Sequence, residues 1–233
     1  MKTGVIVLSR IDSARLPEKA IKCVNNKSII EYVVEKAKKI KNSEIIIATP
    51  DRKIDDQILD KFKDDKEVKK YKGSLEKVSH RFLECMKHYK LDVAIRLNGD
   101  SPLHSYKIIN DFLEIFIQKK PDLLTNVFPR SYPVGMSIEI ISLNALANAC
   151  SRMTQESHFE HISKFFYENS DSFNIINISQ EPINHSKVNL SVDTKEDFER
   201  FKWIINKCKQ NYLNADYDEL IKFYNEYENA KKF

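Results

Sequence analysis

The stretch TGVIVLSRIDSARLPEKA, Thr3 to Ala20, changes character at its middle. Gly4 to Leu8 is an unbroken apolar run, and residues 3–9 read as a strand buried on both faces, as in a parallel sheet. Arg10, Ser13, Arg15 and Lys19 follow around Pro17, with Asp12 and Glu18 the acids among them. Three cations in so short a loop repel one another. Either the loop is solvated, or something negative sits among them.

Outward from this strand the pattern is βα repeated. SIIEYVVEKAKKI (28–40) has helical apolar spacing, with Ser28 and Glu31 forming a capping box and lysines in the last turn. EIIIATP (44–50) is a second buried strand, a helix follows near 52–63, another lies within 73–90, and LDVAIRLNGD (91–100) is a third strand. A helix over 105–119 and a strand DLLTN (122–126) come next. The alternation predicts an α/β fold, a mostly parallel sheet with helices on both faces. Beyond residue 130, GMSIEIIS (135–142) alternates as a strand. Helices are expected near 143–150 and 156–169, and short strands at FNIINIS (173–179) and KVNLSV (187–192). Helices over 194–210, capped by Thr194, and 216–232 close the chain. Ligands of open parallel sheets bind at the carboxyl ends of the strands, which puts the Arg10–Lys19 loop and NGDSP (98–102) on one edge.

Composition narrows the function classes. A chain of 233 residues, 42% hydrophobic and 31% charged, suits one large domain with a sizeable core, or one domain with a small appendage. A formal charge of +4, with no basic stripe interleaved with aromatics, argues against a nucleic-acid partner. The chain contains no apolar run of membrane-spanning length, and its N-terminus reads as a strand rather than a signal peptide. Cys23, Cys85, Cys150 and Cys208 form no C-x-x-C pair and read as free thiols of a reducing cytoplasm.

Four stretches carry possible chemistry, and each also has a plainer account. The first loop suits a triphosphate through guanidinium, ammonium and hydroxyl groups, although it has no Walker or G-x-G-x-x-G glycines; alone it reads rather as solvated surface. Asp100 in RLNGDSPL (96–103) ends a buried strand, where it could hold a divalent cation or simply build a turn. Asp193 in LSVDTKEDFER (190–200) could ligate metal, or either Asp193 or Thr194 could cap the helix, with Asp197 in a box. His161 in FEHIS (159–163) lies in an expected helix without zinc-binding spacing.

Their order along the chain is more informative than any one of them. The chain resembles the cytidylyltransferases that make CMP-activated acidic sugars, among them acylneuraminate and 3-deoxy-manno-octulosonate cytidylyltransferases, and most of all the spore-coat polysaccharide biosynthesis branch. The resemblance rests on SRIDSARLPEK (9–19), RLNGDSPL (96–103), YPVGMSIEI (132–140), FEHI (159–162) and LSVDTKED (190–197). It implies a Rossmann-like nucleotidyltransferase fold, formed by residues 1–233 as one domain, with about 130–185 serving the acceptor and a homodimer contact. It implies CTP as co-substrate, Mg²⁺ on Asp100 and Asp193, and catalytic roles for Arg15, Lys19, Asp100 and Asp193. Leu8, Ser9, Arg10, Ser13, Gly73, Ser74, Arg81, Asn98 and Gly99 would line the nucleotide. Tyr132, Gly135, Glu139 and His161 would meet the sugar.

The chain departs from that branch at four places. Ile11-Asp12 stands where many members have glycine, so the Asp12 carboxylate must turn to solvent, help hold metal, or face phosphate. Ser9 replaces Ala, Ser137 replaces Asp, and Phe159 replaces Arg; together these read as a shifted acceptor specificity. Phosphonates, phosphorylated amino acids and polyol phosphates are therefore alternative acceptors. Two other readings stand beside these. A nucleotide-sugar glycosyltransferase of this fold would carry D-x-D after a central strand, yet Asp216-Tyr217-Asp218 lies in the tail. A non-catalytic nucleotide-binding protein would keep the fold and bind CTP without turnover.

Overall fold

The computed structural model describes residues 1–180 and 182–231. The tail helix expected over 216–232 therefore ends with Lys232 outside the described residues. Strands β1 (Thr3–Leu8), β4 (Ser43–Pro50), β5 (Val68–Gly73), β6 (Val93–Asn98), β7 (Leu123–Thr125), β8 (Glu139–Ser142) and β9 (Ile175–Asn177) form a seven-stranded sheet in the order β5-β4-β1-β6-β8-β7-β9. β5, β4, β1 and β6 are mutually parallel, β8 runs antiparallel to β6 and β7, and β9 is parallel to β7. A small hairpin, β2 (Cys23–Val24) and β3 (Lys27–Ser28), follows the first loop.

The apolar runs fold this way because both sheet faces are covered. Val5 and Val7 of β1 join one core and Ile6 and Leu8 the other; Ile45 and Ile47 of β4 part from Ile46 and Ala48 in the same manner. Helices α1 (Ile29–Ala37), α2 (Asp56–Asp60) and α4 (Tyr106–Lys119) cover the first face. Helices α3 (Val78–His88), α5 (Leu143–Arg152) and α7 (Lys164–Glu168) cover the second. Each fully buried Ile or Phe contributes roughly 1.5–3 kcal/mol relative to exposure. A third core joins α8 (Lys195–Cys208) and α9 (Tyr217–Ala230) to the first loop through Leu16. The expected capping box is present: the Ser28 N–H donates to Glu31 Oε2 at 2.8 Å.

Four expectations change. β5 was missed because its VKKYKG sequence alternates lysines on an edge strand, where only Val68 is buried. The helix near 52–63 is a 3₁₀ turn (Lys53–Asp55) and the single-turn α2. The helix expected over 156–169 is two, α6 (Glu156–Glu160) and α7, so His161 caps the end of α6 rather than lying within a helix. Residues 187–192 form no strand; they bond backbone to backbone with Val134 and Asp100 instead.

Candidate active site

The loop after β1 is anchored at both ends and exposed between. Ile11 is buried in the first core and Leu16 in the third, leaving residues 12–15 at the surface between them. The Ile11 N–H donates to Oδ1 of the fully buried Asp55 at 2.8 Å. Arg52 grips Asp12 with two guanidinium hydrogen bonds, at 2.8 and 2.9 Å. Of the roles left open for this carboxylate, facing a phosphate is the one this geometry disfavours.

Lys19, at the start of a 3₁₀ turn, reaches inward. Its Nζ donates to Asp100 Oδ2 at 2.8 Å and to Asp193 Oδ1 at 2.6 Å. Arg15 adds a second cation 3.3 Å from Asp193 Oδ1. Burial lowers the ammonium's pKa, but the Asp100 and Asp193 carboxylates outweigh it and hold Lys19 above its usual value. The plainer accounts hold as a turn at Asp100 and a helix cap at Thr194 rather than Asp193, and both leave the carboxylates available. The Ser101 N–H closes the turn on the Asn98 carbonyl at 3.1 Å, and Thr194 with Asp197 caps α8, Asp197 N–H donating to Thr194 Oγ1 at 3.1 Å. Asp193 donates only its backbone N–H to that cap, at 3.1 Å to Asp197 Oδ2. Two carboxylate oxygens thus converge on one cation, and among the described residues no third His, Cys, Asp or Glu joins them.

A cavity of about 1010 Å³ lies over this cluster, at the carboxyl ends of the parallel strands. Leu8, Ser9, Arg10, Ser13, Arg15 and Lys19 line it from the first loop. Arg81, Asn98, Gly99, Asp100, Asp193 and His161 line it from the rest of the chain. Gly99 has a tight fit: a Cβ there would sit 2.7 Å from Ser9 Oγ, so the loops after β1 and β6 touch because this residue has no side chain. Arg81 is buried, its pKa pushed down to about 10 by desolvation, and it donates to the Ser74 carbonyl at 2.6 Å, while among the described residues its Nε finds no partner. Gly73 and Ser74 do not line the cavity; they set Arg81, whose Cγ would lie 2.9 Å from a Cβ on Gly73.

A second cavity of about 240 Å³ shares Arg96, Asn98, Asp100 and Asp193 with the first. Gly135, Ser137, Glu139 and Arg130 line it. Glu139 lies opposite Arg96 in the β6–β8 ladder, pairs with it, and accepts from the Tyr167 hydroxyl at 2.7 Å. Burial works against its charge, but Arg96 and the Tyr167 hydroxyl keep the carboxyl below its usual range. Gly135 has φ of 90°, and a Cβ there would lie 2.5 Å from the Ser191 backbone nitrogen. Arg130 donates to the Pro133 carbonyl at 3.3 Å and to Ser137 Oγ at 2.9 Å, and among the described residues it pairs with no carboxylate.

Two of the residues expected at the sugar lie elsewhere. Tyr132 is a core residue, its ring edge-on to Phe112 and Tyr217 at 6.0 and 5.9 Å, and it lines neither cavity. His161 lines the larger cavity and not the smaller. Asp216 caps α9, accepting from the Glu219 N–H at 2.8 Å, so the tail D-x-D takes no part. Arg52, Asp55, Arg96 and Arg130 were not anticipated. Only Arg96 had a visible signal, standing in the same strand as Asn98.

The cytidylyltransferase family matches residues 4–232. A solved cytidylyltransferase of Leptospira borgpetersenii is 30% identical with a TM-score of 0.90, over 98% of this chain and 96% of its own. The spore coat polysaccharide biosynthesis protein SpsF of Bacillus subtilis is 23% identical over 87% of this chain and 86% of its own. The solved CMP:2-keto-3-deoxy-manno-octonic acid synthetase complexed with CTP shares the fold, with a TM-score of 0.69 at 16% identity, over 89% of this chain and 99% of its own.

Proposed function

The chain belongs to the cytidylyltransferase family of nucleotidyltransferases, and on that premise we propose that it couples CMP from CTP to an acidic sugar, with release of pyrophosphate, for surface polysaccharide synthesis. The observation that carries this reading is Lys19 between Asp100 and Asp193, beside a loop of exposed cations and under a cavity of nucleotide size.

In the larger cavity Arg10, Ser13, Arg15 and Lys19 bind the triphosphate, and Arg81, with its unpartnered Nε, faces the base. The acceptor sits in the smaller cavity and meets the α-phosphate at the wall the two cavities share. Its hydroxyl gives its proton to solvent as its oxygen forms a bond to the α-phosphorus, the bond to the bridging oxygen breaks, and pyrophosphate carries that electron pair away. Arg15 and Lys19 stabilise the leaving charge. Asp100 and Asp193 fit Mg²⁺, which takes one or two carboxylates together with substrate phosphates; Lys19 Nζ marks where their oxygens converge on positive charge. When bound, Mg²⁺ would polarise the α-phosphate and favour the ionised acceptor hydroxyl.

Arg130 supports an acidic acceptor. Its half-buried guanidinium faces the smaller cavity with a carbonyl and a hydroxyl as neighbours, the setting that favours a bidentate carboxylate. A phosphonate would fit the same fork. Self-association through the region after 130 is supported by Val134 and Ile183, which expose apolar side chains there.

The test is pyrophosphate release with Mg²⁺ and each of the four NTPs against 3-deoxy-octulosonate, sialic, legionaminic and pseudaminic acids, phosphonates and phosphosugars. CTP-specific release with one acceptor, lost in Asp100→Ala, supports the reading. Release from another NTP, or CTP binding without turnover across the panel, goes against it.

A further inference from the structure

The triphosphate loop carries a carboxylate of its own. Asp12 lies between Arg10 and Ser13, lines the larger cavity and is half exposed. A triphosphate seated on Arg10, Ser13, Arg15 and Lys19 brings several negative charges close to it. At such distances a single like-charge contact repels by an amount that decides affinity.

Arg52 answers that charge from outside the cavity. It stands just past the end of β4 and does not line the cavity. Nη1 donates to Asp12 Oδ2 at 2.8 Å and Nη2 to Asp12 Oδ1 at 2.9 Å, a complete fork. The third donor, Nε, goes to Asp55 Oδ2 at 2.7 Å. The other oxygen of Asp55 accepts the Ile11 N–H at 2.8 Å. One guanidinium therefore ties two successive loop residues to the end of β4, the first through a buried carboxylate and the second directly. Arg10 Nε lies 3.8 Å from Asp12 Oδ1, so the same carboxylate also steers a cation that lines the cavity.

We infer that Arg52 is a positioning residue for the triphosphate: it neutralises Asp12 and holds it in a fork, so that the loop presents its cations to the phosphates without an unpaired carboxylate among them. This rests on the reading of the loop as the triphosphate seat. A purely structural Arg52 would weaken every ligand of the cavity together. A charge-neutralising Arg52 acts on the phosphates alone, and its loss is repaired by removing Asp12.

Calorimetric titration of the full chain with CTP and with CMP, both with Mg²⁺, separates these. Arg52→Ala should weaken CTP about tenfold while leaving CMP within about twofold, and Arg52→Ala with Asp12→Ala should recover most of the loss. Arg52→Lys covers the case in which Arg52→Ala fails to fold. A lysine keeps a cation for Asp55 but cannot span both carboxylates, so it too should lose CTP affinity and regain it with Asp12→Ala. The inference is overturned if the double variants bind CTP no better than the single ones, if CMP falls in step with CTP, or if Arg52→Ala and Arg52→Lys bind CTP as the wild type does. A wild-type protein that binds CTP no more tightly than CMP would overturn the triphosphate reading itself, a result visible before any variant is made.

Discussion

The Val192 N–H donates to the Asp100 carbonyl at 2.8 Å. That bond fastens the segment leading into α8 to the loop after β6. Two carboxylates far apart in sequence thereby meet on one ammonium. Neither acid is held by its own hydrogen-bond network alone; each takes its position from backbone that is tied for other reasons, a turn in one case and a helix cap in the other.

Removing either carboxylate should disable turnover and spare the fold. Asp100→Ala and Asp193→Ala are each expected to lower the rate by on the order of 10²–10³, the usual size for one preorganised electrostatic group. Chelation of Mg²⁺ should have the same effect on the wild type. Pyrophosphate release and a melting curve on each variant check this.

Gly135→Ala tests the backbone rather than the charge. The residue sits at φ 90°, and its added Cβ would press on the Ser191 backbone at 2.5 Å. A loss of about 1–3 kcal/mol is expected from strain at such a position. Activity should fall further than stability, because the displaced segment leads into Asp193. Denaturant unfolding with parallel rate measurements separates the two.

Lys36 and His104 give the protein a pH signature. Both are buried, and Lys36 Nζ donates to the His104 carbonyl at 3.2 Å. Burial pushes Lys36 down to about 8 and His104 down to about 3. The unfolded chain therefore binds more protons at Lys36 between pH of about 8 and about 10.5, and at His104 between about 3 and about 6.5. Stability attributable to either group rises with pH across its window. Lys36→Met should stabilise the protein by about 1–3 kcal/mol at pH 7, and that gain should shrink as the pH approaches 10.5. Melting temperatures across the pH range decide it.

Acceptor and nucleotide should separate at Arg130. Arg130→Ala is expected to raise KM for an acidic acceptor about tenfold or more and to leave KM for CTP unchanged. Ser137→Asp should do the same by giving the guanidinium a carboxylate of its own. Equal effects on both KM values would place Arg130 outside the acceptor site.

The parallel half of the sheet was legible because β1, β4 and β6 are buried on both faces and so read as apolar runs. The cation loop and Asp100 stood at the ends of two of those runs, and with Asp193 they became legible through the order of their motifs along the chain rather than through any one of them. β5 was not, since an edge strand rich in lysine carries no apolar signal. Tyr132 stood in a motif beside Gly135, yet its ring was needed by the core. Arg52 and Asp55 act on Asp12 and Ile11, which only the tertiary structure brings to them, and Arg130 faces a cavity assembled from separate segments, so the sequence does not announce their roles.

The wall of Arg96, Asn98, Asp100 and Asp193 that the two cavities share has a kinetic consequence. With both reactants held against one partition, the nucleotidyl group can pass directly from one to the other and need never rest on a side chain. Initial-rate plots should then intersect rather than run parallel, and labelled pyrophosphate should not exchange into CTP until the acceptor is present.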